Sequence, residues 1–277
     1  MRRSWVRRSG RTWVSRRGLA APVSLLLILF SLTMVSTLAY SYSIRRIGNR
    51  RQDLKLIATE EKMLDLDDAI QAMAWSPGSR RVLAFSDYDG QLRMEPDGSH
   101  LQINVTMGVF TETIFDADTG LFIYELPSTT IGHYGRWLRG DDEAVVNRST
   151  AVQAQMWVST GDEYEELNCR HRPLVSSSLG DLVGGRRVNN IRIYVINLNT
   201  SEAIESGGKF YVNVGCDNVT TQVRSYDLNS SVTVLQISVD IASDRGNVMM
   251  PLTTGASGST VNVEVVVSRV KIEGVLV

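Results

Sequence analysis

Cysteine, histidine and proline are scarce in this chain, which holds two, three and six of them among 277 residues. The two cysteines, Cys169 and Cys216, leave room for a single disulfide if the region is exported, or for two unpaired buried thiols. The histidines, His100, His133 and His171, stand far apart, and neither H-x-x-x-H nor C-x-x-C spacing occurs, so no metal centre is expected. A G-x-S-x-G nucleophile elbow and a phosphate-cradling loop are also absent. The expectation is a protein that is not an enzyme and carries no cofactor. A basic body is missing as well: the net charge of -1 becomes -8 once the seven arginines of the first 18 residues are set aside. Nucleic-acid binding needs a basic face to displace counterions and is not expected.

What the chain does have begins where acid is lacking. Residues 1–18 are a basic leader with seven arginines and no aspartate or glutamate, and Leu19 to Ser43 then runs 25 residues without a charge. As a helix that run covers roughly 37 Å, against the ~30 Å hydrocarbon core of a bilayer. A cleaved signal has a shorter apolar region, with Thr37-Leu38-Ala39 or Ala39-Tyr40-Ser41 as its site here. The double arginine suggests a Tat-type signal, a pattern that Gly18 and the length of the run fit poorly. The seven arginines before the run and the five basic residues after it (Arg45, Arg46, Arg50, Arg51, Lys55) set no firm orientation.

Proline and glycine are nearly absent again between Pro22 and Trp75, where Gly48 is the one exception. Leu56, Met63, Leu66, Ile70 and Met73 fall on one helical stripe. "WSPGS" at Trp75 to Ser79 is a stop, because the residue before proline is driven out of the helix and glycine follows. One helix of about 53 residues, about 80 Å long, is predicted, its first half apolar and its second amphipathic. In lipid such a helix satisfies its own backbone, and the same surface can pack against identical helices. Ser24, Ser31, Thr33, Ser36 and Thr37 are small enough for close approach.

A basic leader ending in "RRG", an apolar run beginning "LAAPVSLLLIL", an amphipathic extension and a β-rich body together resemble the type IV pilin-like proteins, in particular the archaeal ones with a class III signal peptide. "LDLDDAIQAMAWSPGSRRVLAF" is similar to archaeal pilin-like surface proteins in its helix end and first strand. The resemblance implies that a prepilin peptidase cuts after Gly18, that the mature chain begins at Leu19, and that the helix anchors it until it self-associates or joins other pilin-like subunits in a filament. Bacterial pilins usually carry glutamate at the fifth mature position, where this chain has Val23. That departure points away from a bacterial major pilin.

Beyond Pro77 the pattern is that of strands. "RRVLAFSDYDGQLRMEP" reads as a hairpin over "DYDG", "HLQINVTMGVF" as another, and "TIFDADTGLFIYELP" as a third turning at "DADTG". Asp116-Ala117-Asp118-Thr119-Gly120 fails as a calcium loop, since the twelfth position is Pro127 and the flanks are strand-like. The expected organisation is a β lobe at 76–175, a serine- and glycine-rich linker at 176–188, and a second β lobe at 189–277. The predicted fold is α+β, a long helix followed by an antiparallel, sandwich-like body. Five N-x-[ST] sequons, at Asn104, Asn147, Asn199, Asn218 and Asn229, all lie after the apolar run and favour a glycosylated surface outside the cell. The acidic "GDDE" (140–143) and "GDEYEE" (161–166) read as solvated loops, and Arg139-Gly140-Asp141 as a chance tripeptide. "GHYGRWL" (132–138) reads as turn-side aromatics.

Two functions are compatible with all this. One is a membrane-anchored, pilin-like surface subunit that assembles into or primes a filament. The other is a monomeric single-span surface protein whose β body binds a ligand or an envelope partner.

Overall fold

Residues 20–86, 88, 90–127, 135–147, 152–160, 164–199 and 204–275 are described by the structure, a computed structural model. The helix of the sequence reading is present as α1 (Ala20–Ala74), unbroken even at Gly48. It ends at the predicted stop, where the Ser76 amide donates to the Met73 carbonyl at 3.0 Å and the Ser79 hydroxyl to Ser76 O at 2.6 Å. Two compact units divide the chain at Gln52 and Asp53.

In the first unit every side chain from Pro22 to Gln52 is exposed. Leu25 to Phe30 are each between 50% and 67% exposed, so the apolar surface faces outward all round the helix. One helix in the described residues is long and apolar enough to cross a membrane, and it is this one.

The second unit holds the rest of α1 and an antiparallel-rich β body. On the helix, Leu56, Met63, Leu66 and Ile70 are buried and Met73 is half-buried. Burying a side chain of that size contributes about 1.5–3 kcal/mol, so this stripe fixes the rotation of the helix. Two sheets follow. The first has the order β1 (Arg80–Phe85), β10 (Phe210–Leu228), β13 (Ser259–Val275), β8 (Arg186–Asn199), β7 (Leu174–Val183). The second runs β12 (Asp244–Pro251), β11 (Val234–Ile241), β2 (Gln91–Met107), β3 (Phe110–Pro127), β6 (Tyr164–His171), β5 (Ala154–Thr160), β4 (Trp137–Arg139), with β9 (Ile204–Gly207) beside β2. The fold is α+β.

Several local expectations are corrected. "DYDG" is no hairpin: β1 pairs with β10, 125 residues later in the register Phe85↔Phe210, so the chain changes sheets between β1 and β2. "DADTG" does not turn either, because Gln102↔Asp116 and Ser99↔Thr119 are cross-strand partners inside a continuous β3. The β2–β3 turn is at Gly108-Val109, as "HLQINVTMGVF" implied. The proposed linker 176–188 is a hairpin of β7 and β8 closed by Gly184 and Gly185, with φ of 59° and 78°. Two consecutive positive φ values are the signature of a type I′ turn, which suits glycine. Among the described strands one pair is parallel: β13 lies beside β8 from Ser259↔Arg187 to Lys271↔Asn199.

The two-lobe expectation gives way for a physical reason. One hydrophobic cluster contains Leu56, Leu66 and Ile70 with Leu92, Phe122, Leu198 and Ile272. The other contains Leu101, Ile103 and Ile114 with Ile191 and Val263. Strands β2, β3, β8 and β13 each contribute to both, so neither cluster can be removed without cutting strands of the other.

The turn that enters β13 gives a test of the backbone. Gly258 has φ of 104°, and a Cβ there would meet the Leu228 carbonyl oxygen at 2.1 Å. Gly258→Ala is expected to destabilise the chain by about 1–3 kcal/mol, read as a lower urea midpoint with an unchanged slope. An unaltered midpoint would show that the turn can relax.

Candidate functional site

Charged groups on an apolar stripe are costly unless paired, and the stripe of α1 carries one at Asp67, between Met63 and Ile70. Its side chain is completely buried. Strand β6 brings Cys169 and His171 to the same place, two residues apart and therefore on one face of the strand. His171 Nε2 lies 2.8 Å from Asp67 Oδ1, and Gln71 Nε2 donates to Asp67 Oδ2 at 2.8 Å. Arg139, at the end of β4, donates one guanidinium nitrogen to Asp67 Oδ2 and to Asp68 Oδ1. About two turns earlier on the helix, Glu60 pairs with Arg136. The helix is thus held to β4 and β6 by charge as well as by apolar contact.

Burial pushes the Asp67 carboxyl up, but the hydrogen bond and charge of His171, with Arg139 and Gln71, outweigh it, and its pKa lies below the ordinary aspartate value. With Asp67 ionised, His171 Nε2 carries the proton it donates. His171 Nδ1 is buried and has no hydrogen-bond partner. Burial pushes the Cys169 thiol well up, and the Asp67 charge adds to that while Arg139 opposes it. The thiol is therefore held in its protonated, poorly nucleophilic form.

Cys169 and Cys216 are both buried and free, so the bridge that the sequence left open is not formed. They meet α1 at different places, Cys169 beside Asp67 and Cys216 at Ala74. Cys216 Sγ donates to the Ala74 carbonyl at 3.1 Å, and the Ser268 hydroxyl donates to the same oxygen. A carbonyl in the last turn of a helix lacks an intrahelical partner; here a thiol from β10 and a hydroxyl from β13 satisfy it.

The arginine-glycine-aspartate tripeptide is engaged within the protein. Arg139 binds the helix, while Asp141 accepts from Arg172, whose guanidinium also donates to the Glu143 carbonyl at 2.6 Å. Arg172 is only 1% exposed, while all four residues of "GDDE" are exposed, so the loop is solvated and its Asp141 carboxylate and Glu143 carbonyl also hold a buried cation. Arg170 repeats the theme, donating to Gln155 Oε1 at 2.8 Å and lying 5.1 Å over the Trp157 ring. None of Asp67, Arg139, Arg170 and Arg172 was singled out from the sequence as a site residue.

The remaining sequence candidates are dispersed. Asn104 lies mid-strand in β2, half-buried, accepting from Thr113 Oγ1 at 2.6 Å. Asn147, Asn199, Asn218 and Asn229 are exposed, the last at a turn in which Val232 N donates to its carbonyl at 3.1 Å. His100 is exposed beside Asp118 (2.8 Å) and Asp116 (3.2 Å). Gly18, Leu19, His133 and parts of "GHYGRWL" and "GDEYEE" lie outside the described residues. Compared with known proteins, the chain matches no family model, no curated protein and no solved structure.

Proposed function

We propose that this chain is a pilin-like structural subunit of a cell surface. Its N-terminal helix anchors it in the membrane with the β body outside, and it assembles into or primes an extracellular filament after a prepilin peptidase removes residues 1–18. The observation that carries this reading is the unequal burial along one unbroken helix. From Pro22 to Gln52 nothing is covered, although Pro22 to Ser43 is without charge on any side. From Leu56 onward the stripe is packed into the β body and Asp67 is clamped. An apolar surface of that size in water is unfavourable at about 25 cal/mol per Å², so it requires lipid or other helices. Burial of the other half keeps the β body folded whichever of the two covers the first.

Mass spectrometry of the mature protein tests the processing step: the expected N-terminus is Leu19. Gly18→Phe is expected to leave the leader attached, with the uncut precursor as the main species. An intact Met1 in the wild-type protein, or a start near Tyr40, sinks the reading. Electron microscopy of sheared surface material separates filament from monomer.

A second reading, the single-span binding protein, is favoured by one feature. The outward face of the first sheet forms a hollow of about 660 Å³ lined by Ser178, Asn190, Arg192, Ser225, Asn262 and Glu264 among others. Its groups are already ordered, with Ser225 donating to Asn262 (2.8 Å), Asn262 to Asn190 (3.0 Å) and Arg192 to Glu264 (2.6 Å). Surface material without filaments, in which the β body retains a small polar ligand, would favour this reading over the first.

A further inference from the structure

The cluster that clamps the helix contains more ligand chemistry than a clamp requires. An ion pair of Asp67 with Arg139 would hold α1 against β4, and one hydrogen bond from His171 would hold it against β6. Cys169 takes no part in those hydrogen bonds, yet one ligand atom each from Asp67, Cys169 and His171 lies within 4.8 Å of the other two. All three residues are buried. Asp67 Oδ2 is occupied by Gln71 and Arg139, which leaves Oδ1, the oxygen facing His171, as the third ligand atom.

We propose that Asp67, Cys169 and His171 form a binding site for a borderline divalent metal ion of the zinc class, which staples α1 to β6. The donor set selects the class: thiolate and imidazole suit zinc and cobalt(II), whereas magnesium and calcium are held by oxygens. Size is compatible too. With Zn–S of about 2.3 Å and Zn–N and Zn–O of about 2.0–2.2 Å, tetrahedral ligand atoms stand about 3.4–3.6 Å apart. Since no two of these atoms are more than 4.8 Å apart, no edge needs to contract by more than about an ångström to reach that spacing, and the 2.8 Å His171–Asp67 contact opens slightly.

The protons balance. The ion takes the place of the proton between His171 Nε2 and Asp67 Oδ1, and that proton passes to Nδ1. Because Nδ1 has no partner now, the change of tautomer breaks no other hydrogen bond. The Cys169 thiol proton leaves to solvent as the S–metal bond forms. Charge also balances. Asp67, Asp68 and Arg139 together stand at -1, and adding a divalent cation and a thiolate brings the group to zero. Three protein ligands leave one position of a tetrahedron open.

Cobalt(II) is the probe. The full chain, without a metal-binding tag, is purified reduced and chelator-washed in detergent, then given Co²⁺ by two routes, addition to the folded protein and refolding in its presence. The expected result is one equivalent bound with a thiolate-to-metal charge-transfer band, lost on addition of Zn²⁺, and a higher melting temperature with Zn²⁺ than without. Cys169→Ser leaves the contacts among Asp67, His171 and Arg139 in place, so it should fold while losing the band and about tenfold or more in affinity. A chain that stays metal-free by both routes overturns the proposal, as does a band of equal strength in Cys169→Ser. Neither result bears on the cleavage after Gly18 or on filaments.

Discussion

Asp67→Ala is expected to lower the stability of the β body by about 3–5 kcal/mol, because removing one partner of a buried pair leaves the other uncompensated. Here the groups left behind are the Arg139 guanidinium, His171 Nε2 and the Gln71 amide, all of which now donate to one carboxylate. For a body of this size a loss of 1 kcal/mol moves the melting temperature by about 2–4 °C, so a drop of about 6–20 °C is expected. The measurement is a thermal melt in the presence of a chelator, so that the hydrogen-bonded clamp is tested without a metal. Arg139→Ala should cost less, since that guanidinium is 24% exposed and Asp67 keeps two donors when it is gone. The double variant should be less damaging than the sum of the two, because both remove the same contact. A melting temperature within a degree or two of wild type for Asp67→Ala would mean that the apolar stripe alone holds the helix.

The sequence showed the helix more clearly than the sheets, and the difference is one of range. The stripe Leu56, Met63, Leu66, Ile70 and the stop at Pro77 are local patterns, and they appear in the structure where they were expected. The hairpin tips Gly108-Val109 and Gly184-Gly185 are local as well, although the second reads as a linker because serine and glycine make up half of "SSSLGDLVGGRR". "DYDG" and "DADTG" have turn composition but not turn roles. What decides them is pairing with β10 and with the far end of β2, respectively, which no short window contains. The parallel register of β13 on β8 is long-range for the same reason. Of the clamp, the sequence holds one signal that the stripe reading passed over: an aspartate on an apolar stripe implies that a partner exists. Which partner it has was not readable, since Arg139 and His171 are 72 and 104 residues away.

An effect of similar size is expected at the other end of the helix. Leu32→Arg, near the middle of the uncharged run, exchanges one of the most favourable residues at a membrane centre for one of the least favourable, a difference of about 3–4 kcal/mol on insertion scales. That corresponds to roughly 10²–10³-fold in the equilibrium between inserted and free chain. The full-length variant should move from the membrane pellet to the soluble or aggregated fraction after a high-salt wash, which strips proteins held only by surface charge. Leu54→Arg provides the contrast, because Leu54 is also exposed, at 66%, but lies among Arg50, Arg51, Asp53 and Lys55 beyond the apolar run; it should stay in the pellet. The pair of variants separates two meanings of a long apolar helix. A core helix of a soluble protein passes the same test of length and hydropathy, but it passes while buried, whereas none of the most apolar window of α1 is buried. If Leu32→Arg remained membrane-bound, the anchor would have to be elsewhere in the chain, and the exposed run would be left as a surface for other helices alone.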